Sequence, residues 1–162
     1  MPKRARCPNC DRLFDRRILD DHIIKCRGRS QEHKKQATQS SRRILIVDGN
    51  NVAYHLSQNG VPHVSNLLNA QNSLKASGYF PIIVISAALK HKIDKPEVLT
   101  QIENLIEAQR GTNDDLLILS EAQKRNADIV SNDRFLNWQK SHPWVSSRLR
   151  KYRLTPTGLI LS

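Results

Sequence analysis

From residue 43 onward, continuous apolar runs alternate with amphipathic stretches. "RILIV" (43–47) is an apolar run behind a single Arg and reads as a buried strand. Residues 62–77, "PHVSNLLNAQNSLKAS", place Val64, Leu67, Leu68 and Leu74 at helical spacing, and Gly78 stops the helix. "YFPIIVIS" (79–86) is a second strand, with Pro81 near its start, where a missing N–H is tolerable. Residues 95–107 begin Lys-Pro-Glu, a good helix start, and continue Val98, Leu99, Ile102, Leu105, Ile106. The pattern does not separate one helix from a helix followed by a short strand, and the alternation favours a strand near 105–108. "TNDDLLILSEAQKRNA" (112–127) reads as a helix with Thr112 or Asn113 as N-cap. "DIVS" (128–131) is a short strand, and "RFLNWQKSH" (134–142) a short helix that ends before Pro143. "KYRL" and "GLILS" close the chain as two strands around "TPTG". Strands alternating with helices predict an α/β fold with a mainly parallel sheet. In such sheets functional groups collect at the carboxyl ends of the strands, near the point where strand order reverses.

The first 42 residues have a different texture. Residues 1–26 hold all three cysteines, and residues 27–42, "RGRSQEHKKQATQSSR", contain one Ala and no larger aliphatic residue. That second stretch has nothing to bury and reads as a basic polar linker. The expected organisation is therefore a small segment at 1–26, a linker at 27–42 and an α/β domain at 43–162.

Charge adds a partner class. Lys and Arg total 26 against 15 Asp and Glu, a formal net charge of +11, which suits a polyanion. "RLRKYR" (148–153) carries four basic residues, one aromatic and no acid. No apolar run approaches the length of a membrane span, and the basic start is followed by no apolar stretch of signal-peptide type, so a soluble, cytoplasmic protein is expected.

The cysteines fall as Cys7, Cys10 and Cys26, with His22 four residues before the last. An odd number in an intracellular chain argues against a disulfide framework and toward metal or free thiol. C-x2-C-x11-H-x3-C offers Zn2+ four ligands: two from a tight turn and two from one face of a helix. Phe14 and Leu19 supply a small apolar core between them. The segment resembles a ββα zinc finger with Cys in place of the last His, its gap of eleven being one short of the common twelve. Four protein ligands close the site, so the zinc is structural, and its binding is the folding energy of so short a segment. Arg12, Arg16 and Arg17 suit phosphate contact. One finger reads too few bases for DNA specificity, so an RNA grip fits better than sequence readout, with a protein-binding finger as the alternative.

Asp48 ends the first strand in "ILIVDGNNVAY", Asp114 and Asp115 open a helix in "GTNDDLLIL", and Asp133 follows a strand in "DIVSNDRF". Each alone is accounted for as a cap or as a favourable charge at a helix start. In a parallel sheet all three joints lie on one edge. Carboxylates gathered there repel unless one is neutralised or a cation sits among them. Mg2+ and Mn2+ favour carboxylate oxygens and water, and such an ion acidifies water and steadies charge on a phosphoryl group. Asn51 could fix Asp48 or touch the ion, Asn132 could serve beside Asp133, and Gly49 lets the backbone turn tightly. Spacing does not choose between Asn50 and Asn51 as the residue facing the ion.

These three stretches resemble the motifs of NYN-type PIN nucleases, closest to the Regnase-like (Zc3h12a-like) ribonuclease domain, over about residues 43–140. The resemblance implies a PIN-like α/β/α sandwich and Mg2+- or Mn2+-dependent endonucleolytic cleavage of single-stranded or loop RNA. It implies Asp48, Asp114, Asp115 and Asp133 as the acidic centre, with Asp48, Asp115 and Asp133 on the metal, and it selects Asn51 as the supporting polar residue. A finger before the nuclease domain rather than a CCCH finger after it, and the short loop before "GTNDD", depart from the family pattern and leave the RNA target undefined. On charge alone, Lys124, Arg125, Arg134, Arg148, Arg150, Lys151 and Arg153 are candidate phosphate contacts, and Tyr54, Trp138 or Tyr152 could stack on bases. His55, His63, His91 and His142 receive no role. PIN-like domains commonly pair, so a homodimer is the expected assembly to test. The rival readings are a non-catalytic RNA-binding adaptor and a DNA-directed nuclease.

Overall fold

The computed structural model describes residues 4–8, 13–24 and 43–162, and the chain divides into two units, Met1–Arg42 and Arg43–Ser162. In the first unit, strands β1 (Arg4–Arg6) and β2 (Leu13–Asp15) pair antiparallel, with Ala5 opposite Phe14. Helix α1 covers residues 16–24. The Asp15 carboxylate accepts the Arg17 N–H at 3.2 Å and caps it. Cys7, directly after β1, is buried. The His22 ring on α1 stacks on Phe14 with centroids 3.9 Å apart. Cys10, Arg12, Cys26 and the 27–42 linker lie outside the described residues.

The second unit runs β3 (Arg43–Asp48), α2 (Gly49–Tyr54), α3 (Val64–Ala76), β4 (Tyr79–Ile85), α4 (Leu89–Lys92), a 3-10 turn (Pro96–Gln101), β5 (Leu105–Glu107) and α5 (Asp114–Arg125). It continues with β6 (Asp128–Val130), a 3-10 turn (Leu136–Trp138), α6 (Val145–Arg148), β7 (Leu149–Arg150), β8 (Tyr152–Thr155) and β9 (Gly158–Leu161). Five strands form one sheet in the order β5-β4-β3-β6-β7, every pair parallel. The chain moves outward from β3 through β4 and β5, then crosses to β6 on the other side. The reversal of strand order therefore lies between β3 and β6, where a crevice opens at their carboxyl ends.

Alternation along β3 divides its side chains between two helical layers. Leu45 and Val47 pack with Ile83 and Ile85 against Val52 of α2 and Leu67, Ala70 and Leu74 of α3. Ile46 packs with Ile82, Val84 and Ile129 against Ile118, Leu119 and Ala122 of α5. Leu45, Ile46 and Val47 are fully buried, each burial contributing about 1.5–3 kcal/mol. This is the α/β/α sandwich that the resemblance implies, built on the mainly parallel sheet that the alternation predicts. Asp48 continues the alternation on the side of Ile46, toward the layer that contains α5. The β8–β9 hairpin stands apart from the main sheet. It is attached to α3 where the Leu159 N–H donates to Ser73 Oγ at 2.9 Å.

Several elements differ from the sequence expectation. In place of the helix expected from residue 95 stands a 3-10 turn, Pro96–Gln101, while the strand favoured near 105–108 is present as β5. Residues 134–142 form only the turn Leu136–Trp138. Phe135 takes a left-handed backbone (φ 51°) and is buried under the sheet, which interrupts any regular helix there. The helical residues come after Pro143, as α6. β7, inside the basic stretch "RLRKYR", is two residues long and has no apolar run to reveal it. Gly49 has an ordinary helical backbone within α2, so turning tightly is not its purpose. A Cβ there would lie 2.6 Å from the Val84 carbonyl oxygen and 2.6 Å from Ile85 Cγ2. Its hydrogen is what lets α2 sit directly on β4. Among the described residues no helix is long and apolar enough to cross a membrane.

Candidate acidic active site

Asp48, Asp114, Asp115 and Asp133 line one pocket of about 520 Å3 at the carboxyl edge of the sheet, together with Asn50, Asn51, Tyr54, His55 and Asn132. Asp48 is delivered by the end of β3 and is buried. Its Oδ1 accepts the Asn51 N–H at 3.1 Å, so it caps α2. Its Oδ2 accepts the buried Ser131 hydroxyl at 2.8 Å. Ser131 Oγ also accepts the Asp133 N–H at 3.1 Å, which leaves its single proton for Asp48. Burial raises the Asp48 carboxyl from 3.8 to about 6. The Asn51 N–H and the Ser131 hydroxyl pull the other way, and the charges of Asp115 and Asp114 add to the rise.

Asp114 and Asp115 open α5, whose cap is Asn113: its side chain accepts the Asp115 N–H at 2.9 Å. Both carboxylates are half-buried at the positive end of the helix. Asp115 Oδ2 accepts the Trp138 indole N–H at 3.3 Å. Its pKa is raised, chiefly by burial, with Asp114 and Asp133 contributing and the Trp138 hydrogen bond opposing. Asp133 is exposed, and its Oδ1 accepts the Phe135 N–H at 3.0 Å.

The two asparagines after Asp48 have separate duties, which backbone donors define. Asn50 Oδ1 accepts the Ser86 N–H at 3.0 Å, so its amide nitrogen must be the atom facing Ser86 Oγ (2.8 Å) and Asp114 Oδ2 (3.2 Å). Asn50 therefore orients Asp114. Asn51 Oδ1 accepts the Asn132 N–H at 3.0 Å and the Tyr152 hydroxyl at 2.7 Å. Its amide nitrogen has no hydrogen-bond partner among the described residues and belongs to the pocket lining. Asn132, in turn, pairs with the Tyr152 backbone in both directions, at 3.1 and 3.0 Å. It holds the loop of Ser131 and Asp133 against β8 rather than serving the carboxylates. Burial, with the Asp48 charge, pushes the Tyr152 phenol upward, so it stays a donor.

No lysine or arginine pairs with any of the four acids among the described residues. Nor does any group of three or more His, Cys, Asp or Glu there stand close enough to enclose an ion by itself. The donor chemistry fits a hard divalent cation held by one or two carboxylates that keeps several waters, the usual manner of Mg2+, rather than a closed protein cage.

The basic candidates are dispersed. Arg134 is exposed next to Asp133. Lys124 and Arg125 end α5, roughly 15 Å along the axis from Asp114, and Arg125 pairs with Glu121 at 2.9 Å. Arg150 ends β7 but turns its guanidinium back toward the amino edge of the sheet, 3.4 Å from the Tyr79 hydroxyl and 4.0 Å from Asp128. Arg148 covers the Trp144 ring at 5.7 Å, Lys151 and Arg153 are exposed at β8, and Arg16 and Arg17 are exposed on α1. Of the aromatic candidates only Tyr54 is open on the pocket; Tyr152 is buried and Trp138 is turned to Asp115. His55, given no role by the sequence, lines the pocket with its ring 5.2 Å from Tyr152. Ser86 and Ser131 were equally unmarked. Each is the first polar residue after a buried strand of a parallel sheet, and that position is the signal that could have found them.

The Zc3h12a-like ribonuclease NYN domain family matches residues 41–157. No curated protein matches the chain in sequence. Two solved structures of nuclear protein-only RNase P 2 from Arabidopsis thaliana resemble it in fold. One has a TM-score of 0.60 and 18% identity over 97% of this chain and 40% of that one. The other has a TM-score of 0.57 and 16% identity over 100% of this chain and 42% of that one. The chain thus spans about 40% of the length of those proteins.

Proposed function

This chain belongs to the Zc3h12a-like ribonuclease NYN family, and from that premise we propose that it is an endonuclease that hydrolyses single-stranded or loop RNA with Mg2+ or Mn2+. The observation that carries the reading is the convergence of Asp48, Asp114, Asp115 and Asp133 on one pocket with no basic partner among the described residues. Folding places strong negative charge in a partly dry crevice of a protein with net charge +11, an arrangement that is costly unless a cation completes it.

Asp48, Asp115 and Asp133 would hold one or two ions, each ion on one or two carboxylates and the rest of its shell water, and Asp114, oriented by Asn50, would give support directly or through water. A divalent cation supplies charge neutralisation at the phosphoryl group and acidifies water near neutral pH. The chain's own residues do the positioning. Ser131 and the Asn51 N–H keep Asp48 in one orientation as an acceptor. The free amide nitrogen of Asn51 can donate to a phosphoryl oxygen. Tyr54 offers an exposed ring at the pocket for a base, and Arg134 a cation beside Asp133.

For the first unit we propose a C2HC zinc finger that assists RNA binding, with Cys7, Cys10, His22 and Cys26 as ligands and Arg12, Arg16 and Arg17 toward phosphate. The hairpin, the buried Cys7 and His22 on the following helix support it. Metal analysis of Cys10→Ser tests it; undiminished zinc would exclude the finger. A cytoplasmic setting and pairing of two copies through the 43–162 unit go with the reading, and sedimentation of the purified chain tests the second.

Incubation of the purified chain with labelled single-stranded RNA and DNA, in Mg2+, Mn2+ or EDTA, is the deciding experiment. Internal cleavage of RNA that requires the metal and is abolished by Asp133→Asn is expected. Absence of cleavage would favour a binding adaptor, and preference for DNA would reassign the substrate.

A further inference from the structure

A second pocket, of about 330 Å3, opens next to the acidic one, lined by Ser86, Ala87, Ala88, His91, Lys92 and Arg110 among others. Its volume lies at the small end of the roughly 300–1,000 Å3 of small-ligand sites, room for one nucleotide. The wall between the two pockets is thin and chemically defined. Asn50, which lines the acidic pocket, is bonded through both ends of its amide to Ser86, which lines the second. Both pockets sit at the carboxyl edge of the same sheet, because Ser86 follows β4 and Arg110 follows β5.

The two pockets differ in charge. The acidic pocket has four carboxylates; the second has none in its lining. The neighbouring Lys90 is neutralised by Glu107 at 3.6 Å, whereas Lys92 and Arg110 are exposed and enter no ion pair among the described residues. The lining includes Ala87 and Ala88, small apolar side chains that leave room for a base. Small apolar side chains with a cationic rim, beside a carboxylate centre, match the amphiphilic repeat of a single strand: base, then phosphate.

We infer that the Ser86–Lys92 segment and Arg110 form a binding subsite for the RNA nucleotide adjoining the one at the acidic centre, its base against Ala87 and Ala88 and its phosphate on Lys92 and Arg110. His91 is a further donor on the same rim. The inference rests on the ribonuclease reading for the identity of the strand, and the test separates the two. The sequence had left His91 without a role and had placed its phosphate contacts elsewhere.

Binding of an end-labelled fluorescent oligoadenylate to the full chain, followed by anisotropy across a salt series without added divalent ion, reads the subsite without any catalysis. Lys92→Ala with Arg110→Ala should weaken binding roughly 3- to 30-fold. It should also lower the slope of log affinity against log salt by about 0.7, the value for one single-strand phosphate. A control with the same charge loss, Lys75→Ala with Lys140→Ala, should leave both unchanged. Ala88→Leu, which takes up space in the pocket without changing charge, should weaken binding with the slope intact. The proposal is overturned if the Lys92/Arg110 pair behaves as the control pair does, or if Ala88→Leu binds as tightly as the wild type. If the wild-type chain cleaves no RNA in Mg2+ or Mn2+ while the Lys92/Arg110 effect persists, the catalytic reading fails and the subsite stands.

Discussion

Replacing Asp48 by Asn should make the metal-free protein more stable and inactive. Both hydrogen bonds to this side chain survive the change. Oδ1 can still accept the Asn51 N–H, and the new amide can donate to Ser131 Oγ once that hydroxyl turns. What disappears is the charge. The folded state raises this carboxyl from 3.8 to about 6, a difference worth about 3 kcal/mol against folding once the group ionises. For a raised carboxyl the penalty is absent below its unfolded value. It grows as pH rises from 4 toward 6 and is complete above that. Urea unfolding without divalent ions should therefore give equal stabilities for the two proteins near pH 4. At pH 8 the Asn variant should lead by up to about 3 kcal/mol, on the order of 10 °C in Tm. Both tryptophans, Trp138 and Trp144, lie in the 43–162 unit, so their emission reports that unit alone. Added Mn2+ should raise the midpoint of the wild type and leave the variant nearly unmoved. A variant less stable than the wild type at pH 8, or an advantage of the same size at pH 4, would refute the reasoning.

Ser131→Ala removes the donor on Asp48 and the acceptor of the Asp133 N–H in a fully buried position; unfolding should show a loss of about 1–3 kcal/mol, with cleavage falling as well. Gly49→Ala puts a methyl 2.6 Å from the Val84 carbonyl oxygen, which cannot swing away, so a loss of at least about 1–3 kcal/mol is expected by urea titration. Tyr152→Phe removes one of two donors on Asn51 Oδ1 and should cost about 1 kcal/mol. Asn51→Ala strands both the Asn132 N–H and the Tyr152 hydroxyl and should cost more, so a reversed order in the same titration would count against the clamp.

The polar positions differ in how far the sequence revealed them. Asp48, Asp114, Asp115 and Asp133 stood out because an acid at the end of an apolar run or the start of an amphipathic one breaks a pattern. Ser86, Ser131 and Tyr152 broke none. Small hydroxyls and a tyrosine are ordinary at such places, and their importance lies in partners 36, 83 and 101 residues away. Basic residues were visible by charge, but charge does not say where a side chain ends. Arg150 was drawn to Asp128 and Tyr79 at the amino edge, while Lys92 and Arg110, 18 positions apart in the sequence, meet at one pocket.

What the sequence determined by itself was the alternation of buried strands and amphipathic helices. From that follow the parallel sheet, its two helical layers and the edge on which the acids gather, because periodicity and burial are local properties of the chain. Tertiary structure alone decided the division of labour between Asn50 and Asn51, which spacing left open. It also decided that Gly49 exists for close packing, and that a second, cationic pocket lies beside the acidic one. Each of these depends on which strand ends become neighbours. That is set by the order β5-β4-β3-β6-β7, a property of long-range packing that no short stretch of residues encodes.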